Sequence, residues 1–168
     1  MGFHARHKAS RRIYRYLILN RSARSALQRA RTAWIHRPLD AEAMHVGAQA
    51  LIGEHDFSAF RSVECQSPTP IRRVDAIEVT RAGDLVSLQI TANAYLHHMV
   101  RNIVGTLLEV QRQADPKAAM AKVLAGADRR YAGATAPAEG LYLWRVEYPK
   151  DFAIPAPTGQ IGLNCGLV

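Results

Sequence analysis

Ten residues, "LVSLQITANA" (85–94), restrict the fold more than any other stretch of this chain. Val86, Leu88, Ile90 and Ala92 fall on one side of an extended chain and Ser87, Gln89 and Thr91 on the other, the pattern of a strand with one buried face. A second alternating run, "VDAIEVT" (74–80), precedes it, and the intervening "RAGD" makes an antiparallel hairpin the natural connection. A half-buried hairpin needs a cover. The next stretch, "YLHHMVRNIVGTLLEVQR" (95–112), supplies one, because Leu96, Met99, Val100, Ile103, Val104, Leu107 and Leu108 recur at helical spacing as a wide apolar stripe.

The remaining elements follow from the same signals. Residues 12–20 read as a strand with Tyr14 and Tyr16 on one face and Arg15 on the other. Residues 21–40 have no sustained period and carry a Pro, and read as connecting structure with room for one short helix. A helix is predicted over 40–53, capped by Asp40, favoured by Glu42 and stopped by Gly53. Residues 54–73 read as a loop pinned by Phe57 and Phe60. A second helix is predicted over 116–125, with Pro116 in its first turn, and a last strand over 141–148. The expected fold is α/β of the α+β type: a mostly antiparallel sheet backed by helices. One domain is expected over residues 1–150, with a loose Pro/Gly-rich tail at 151–168.

Charge is placed unevenly. The first 39 residues hold ten Lys/Arg and no acid, whereas the other 129 hold twelve against fourteen acids. Such a block attracts polyanions, and its excess of Arg favours bidentate phosphate contacts and stacking. Organellar transit peptides share this composition, but the β-branched and aromatic "RIYRYLILN" ending at Asn20 reads as a strand entering a turn. No apolar run approaches a membrane span, so no membrane partner is expected. Cys65 and Cys165 lack metal-ligand spacing and fit a reducing, cytoplasmic setting.

The sequence contains no phosphate-binding loop, dinucleotide fingerprint, nucleophile elbow or H-E-x-x-H zinc motif. His97 and His98, as neighbours on a helix, would point about 100° apart and could not share a metal ion, so no metal is expected. Arg101 follows His97 by four residues in an otherwise apolar helix. It suits a snorkelling side chain, a structural ion pair, or a guanidinium placed to hold a carboxylate or phosphate. Tyr14 sits among Arg11, Arg12 and Arg15, where a ring can either pack in a core or stack on a base beside phosphate-binding cations. Arg72 and Arg73 add a second basic point in what reads as a loop.

Taken in order, "FHARHKASRRIYRYLILN", "GEHDFSAFRSVECQSPTPIRRV", "NAYLHHMVRNIVGTLLEV" and "ATAPAEGLYLWRVEYP" resemble successive motifs of the TruA-type tRNA pseudouridine synthases, over about residues 3–150. The resemblance implies a pseudouridine synthase-like C-terminal domain. It implies isomerisation of uridine to pseudouridine at positions 38–40 of the tRNA anticodon stem-loop, without cofactor or metal, by a homodimer that grips tRNA. By the same resemblance Tyr14 packs on the target base, Arg101 pairs with a catalytic aspartate, and Leu141 helps to form the pocket. Arg6, Arg11, Arg12, Arg15, Arg72, Arg73 and His97 are then expected RNA contacts. That family carries its aspartate in a "GRTDAGVH"-like motif, and no such stretch occurs here. Asp56, Asp75, Asp84 and Asp128 stand in other contexts. The chain is therefore expected to correspond to the C-terminal half of such an enzyme, with an N-terminal half as partner. The alternative is a non-catalytic RNA-binding domain derived from the same family.

Overall fold

The computed structural model describes residues 2–154; most of the expected tail lies outside the described residues. Nine regular elements follow one another: β1 (Arg11–Asn20), β2 (Ala33–Ile35), α1 (Ala41–Ala48), β3 (Gly53–Asp56), β4 (Ile71–Ala82), β5 (Leu85–Ala92), α2 (Met99–Val110), α3 (Pro116–Gly126) and β6 (Leu141–Glu147). Six strands form one sheet in the order β2-β1-β5-β4-β3, with β6 also paired to β1. β6 runs along Arg11–Tyr16, and the parallel β2 takes the same edge at Ile18–Asn20. All other pairs are antiparallel.

The hairpin is as the alternation predicts. β4 and β5 pair from Val74↔Ala92 to Ala82↔Leu85, turning through Gly83 at φ +56°, a left-handed conformation that glycine adopts without strain. Val86, Leu88, Ile90 and Ala92 are all buried, and register places Tyr14, Tyr16 and Ile18 of β1 directly beside Ile90, Leu88 and Val86. The three helices lie on this side: Met44 and Ala48 of α1, Ile103, Val104 and Leu107 of α2, and Met120 of α3 share one core cluster with these strand residues. Each large apolar side chain so buried contributes about 1.5–3 kcal/mol. Phe57 and Phe60, both fully buried, fix the intervening segment to that core.

Several expectations need correction. The sheet gains two strands, β2 and β3, where connecting structure and loop are expected. α1 stops at Ala48, a 3-10 turn follows over Gln49–Leu51, and Gly53 (φ +112°) opens β3 instead of ending a helix. β4 starts at Ile71, so Arg72 and Arg73 lie on a strand rather than in a loop. α2 begins at Met99, not at residue 95, because His98 takes a left-handed conformation (φ 62°, ψ 5°). His97 is therefore off the helix and does not share a helical face with Arg101.

Candidate active-site face and nucleic-acid contacts

Along β1, alternation sends Tyr14 and Tyr16 to the helix side and Arg15 to the opposite side. Tyr14 pairs with Leu143 of β6 and Tyr16 with Leu141, so the two expected pocket residues, Tyr14 and Leu141, share one face two positions apart. The Tyr14 ring meets Tyr95 edge-on, with centroids 4.9 Å apart. Tyr95 is itself tethered, its hydroxyl reaching the carbonyls of Arg12 (3.0 Å) and Ile90 (2.9 Å). Burial pushes the Tyr95 phenol far above its ordinary range, and Tyr14 and Asp75 add to the effect.

Arg101 reaches the same region from the first turn of α2. Its Nε donates to the Ala136 carbonyl at 2.7 Å, and its own carbonyl accepts from Ala136 N–H at 3.1 Å. The next carbonyl, of Pro137, accepts from the Tyr16 hydroxyl at 2.6 Å. Burial drives the Tyr16 phenol upward, the Arg101 charge opposes this, and Glu139 reinforces it. None of the ion pairs among the described residues involves Arg101. It is a half-buried cation steered by one carbonyl, and among the described residues no carboxylate lies within ion-pair distance of it.

A polar network behind Arg101 escapes sequence reading. Asn102, 1% exposed, accepts through Oδ1 from Thr135 (2.7 Å) and Arg129 (3.2 Å), and donates to the Phe60 carbonyl (2.8 Å). Arg129 also donates to Thr135 Oγ1 and to the Ala132 carbonyl. This ties residues 129–136 to α2 and sets the Ala136 carbonyl that aims Arg101. The one signal available beforehand is an asparagine within the apolar stripe of a helix, since a buried amide must find partners.

The basic residues divide by geometry. Arg11 pairs with Asp75 (3.0 Å) and lies 3.8 Å from Glu147, and Arg73 pairs with the other oxygen of Asp75 (2.9 Å). Arg12 donates to the carbonyls of Asn93 (2.9 Å) and Arg6, and the Arg6 side chain is exposed. Arg15, on the far face, stacks on Trp144 at 3.7 Å and donates to Gln89 at 2.8 Å. Arg72 is 8% exposed, and its guanidinium bonds Thr69 O, Ile71 O and Ser67 Oγ, holding the 67–71 segment from within.

His97 is exposed and its ring stacks on His98, with centroids 3.9 Å apart, so the two rings do lie side by side. Among the described residues, however, no group of three or more His, Cys, Asp or Glu could hold a metal ion. Burial lowers the His98 pKa, with His97 and Arg101 adding to the effect and Glu64 opposing it. Burial pushes the Cys65 thiol up, but the N–H groups of His97 and Ser67 and the Arg61 guanidinium outweigh it and hold the thiol below its ordinary value. No helix among the described residues is long and apolar enough to cross a membrane.

Known proteins resemble this chain over most of its length. Residues 48–149 match the family model described as tRNA pseudouridine synthase. The chain is 53% identical over 158 residues to the tRNA pseudouridine synthase A of Xanthomonas oryzae pv. oryzae (strain PXO99A), an alignment covering 94% of this chain and 62% of that protein. It is 54% identical over 155 residues to the tRNA pseudouridine synthase A of Salmonella arizonae, covering 92% and 57% respectively. The chain thus spans roughly 60% of the length of the curated relatives it matches. On identity, extent of match and fold, this chain belongs to the tRNA pseudouridine synthase family.

Proposed function

We propose that the chain forms the base-supporting portion of an enzyme that converts uridine to pseudouridine at positions 38–40 of the tRNA anticodon stem-loop. In this reading it works in the cytoplasm as part of a homodimer, and an N-terminal portion supplies the attacking aspartate. The reaction breaks the N1–C1′ glycosidic bond, joins C5 to C1′ and moves the C5 proton, so it is an isomerisation that needs no oxidant, reductant, cofactor or metal. A uridine must first leave its stack, and an aromatic face offsets the stacking lost. Tyr14 offers that face and Leu141 the apolar wall beside it. A guanidinium beside the incoming aspartate keeps that acid ionised for attack. Arg6, Arg11, Arg12, Arg73 and His97 contribute RNA contacts around the sheet, while Arg72 shapes the 67–71 segment from within.

The observation that carries this reading is Arg101: a half-buried arginine aimed by the Ala136 carbonyl, with no acid partner among the described ion pairs. The test is turnover on an anticodon stem-loop. The chain alone is expected to give no pseudouridine. Mixed with the separately produced N-terminal portion of the Xanthomonas oryzae relative it is expected to turn over, and Arg101→Ala in that mixture to abolish the activity. Turnover by the chain alone would exclude an external nucleophile, and unchanged turnover in the variant would remove Arg101 from the site. Tight tRNA binding without turnover in the mixture would favour the non-catalytic RNA-binding domain.

A further inference from the structure

The second face of the sheet, opposite Tyr14, carries both tryptophans of the chain. Parallel register sets Trp34 of β2 beside Leu19, and antiparallel register sets Tyr142 of β6 beside Arg15; Leu19 and Arg15 both point away from the helices. Arginines are interleaved with these rings. The Arg15 guanidinium lies 3.7 Å from the centre of the Trp144 ring and that of Arg24 5.8 Å from Trp34, both within cation–π range. The Tyr142 hydroxyl donates to the Arg31 carbonyl at 2.6 Å, and Trp34 Nε1–H to the Arg21 carbonyl at 3.0 Å. These two bonds fold the 21–32 segment over the sheet, so its arginines stand beside the aromatic rings. Arg24, Arg29 and Arg31 are exposed and make no ion pair among the described residues.

We infer that this face is a second RNA-binding surface, on which Trp34, Tyr142 and Trp144 offer stacking planes and Arg15, Arg24 and Arg31 hold phosphates. It deepens the proposed function by assigning a part of the same RNA to a surface that cannot touch the reacting uridine, because the sheet separates it from Tyr14. Aromatic planes alternating with guanidinium groups suit nucleic acid, whose bases stack on the rings while its phosphates meet the cations. A second copy of the chain suits it less. Residues 21–32 hold four arginines and no acid, and a two-fold interface would set that segment against itself. The nearest acids are already engaged: Asp84 lies 4.0 Å from Arg21, and Glu147 lies 3.4 Å from Arg145 and 3.8 Å from Arg11. Glu78 lies two strands away on β4.

The 168-residue chain itself tests this through its tryptophan emission. Whole tRNA and an isolated anticodon stem-loop are titrated separately. Whole tRNA is expected to change the emission, and the change to persist in both Trp34→Phe and Trp144→Phe, since each variant retains one reporting ring. Arg24→Gln/Arg31→Gln, at exposed positions where folding is not at stake, is expected to weaken whole-tRNA binding by about tenfold. The same variant should flatten the slope of log affinity against log salt by about two, one unit for each phosphate that is no longer neutralised. Affinity for the stem-loop should stay as in the parent. Equal loss for both RNAs, or loss for neither, would overturn the inference. So would emission that changes with protein concentration alone as the chain dimerises, which would give the face to a second copy. Turnover in the mixed-half assay with this face inert to RNA would reject the inference and leave the proposed function standing; RNA bound here without turnover would do the reverse.

Discussion

A methyl group added at Gly105 would stand 1.7 Å from the carbonyl oxygen of Ala134, and one at Gly133 would stand 2.4 Å from the carbonyl oxygen of Gly105. Backbone meets backbone here, so no flexible side-chain end can give way. This approach brings Ala136 to Arg101, where the two residues exchange a main-chain bond of 3.1 Å and the 2.7 Å bond to Nε. Gly105→Ala is therefore expected to cost about 3 kcal/mol or more in urea unfolding, at or above the upper end of ordinary overpacking. A shift below about 0.5 kcal/mol, the scatter of neutral surface changes, would show that the loop can simply lift away. None of this is legible beforehand. In sequence Gly105 is only a poor helix former inside a good helix, because its partners lie almost thirty residues on and no local pattern links them. Arg101 stands out as a charge in an apolar stripe, whereas the carbonyl that aims it carries no sequence signature.

Elements were legible where their ends are chemically marked. Asp40 accepts from Ala43 N–H at 2.9 Å and Asp115 from Ala118 N–H at 2.9 Å, with Pro116 at the first position of α3. α2 has no such mark. His98 makes no side-chain cap bond, and Leu96 extends the apolar period backward across the true start, so periodicity alone overruns by a turn. β2 and β3, three and four residues long, are too short to show alternation; each exists because β1 or β4 offers an edge to pair with. α3 buries only Met120 and Leu124, so its cap supplies a large share of its stability. Asp115→Ala is expected to cost about 1 kcal/mol and Asp115→Asn only a small part of that, since asparagine caps nearly as well. Equal midpoints for Asp115→Ala and the parent in thermal unfolding would mean that packing alone holds the helix.

For the whole molecule, the uneven charge noted in the sequence becomes a spatial arrangement. The acid-free first 39 residues enter the sheet as β1, one strand in from the edge that β2 and β6 share, and their 21–32 segment folds over the second face. Arginines therefore flank both faces, while the acids they meet, such as Asp75 and Glu109, come from later elements. The pairs so formed are largely exposed, and each contributes little. What remains is a chain of net +8 whose excess lies in the first 39 residues, with ten Lys/Arg and no acid; that block repels itself in the folded state and attracts polyanions. Added salt weakens both effects, but they enter folding and binding with opposite signs. Screening relieves the repulsion among clustered arginines more in the compact state than in the extended chain, so the unfolding temperature is expected to rise between low salt and 0.2 M, where the screening length falls below about 10 Å. Counterions released on RNA binding become harder to release as salt increases, so tRNA affinity is expected to fall over the same range, with a slope near one unit per phosphate neutralised. Thermal unfolding and tRNA binding measured in one salt series should therefore diverge. Parallel movement of the two, with stability also falling as salt rises, would mean that the exposed ion pairs outweigh the repulsion and that the basic block is already balanced within the fold.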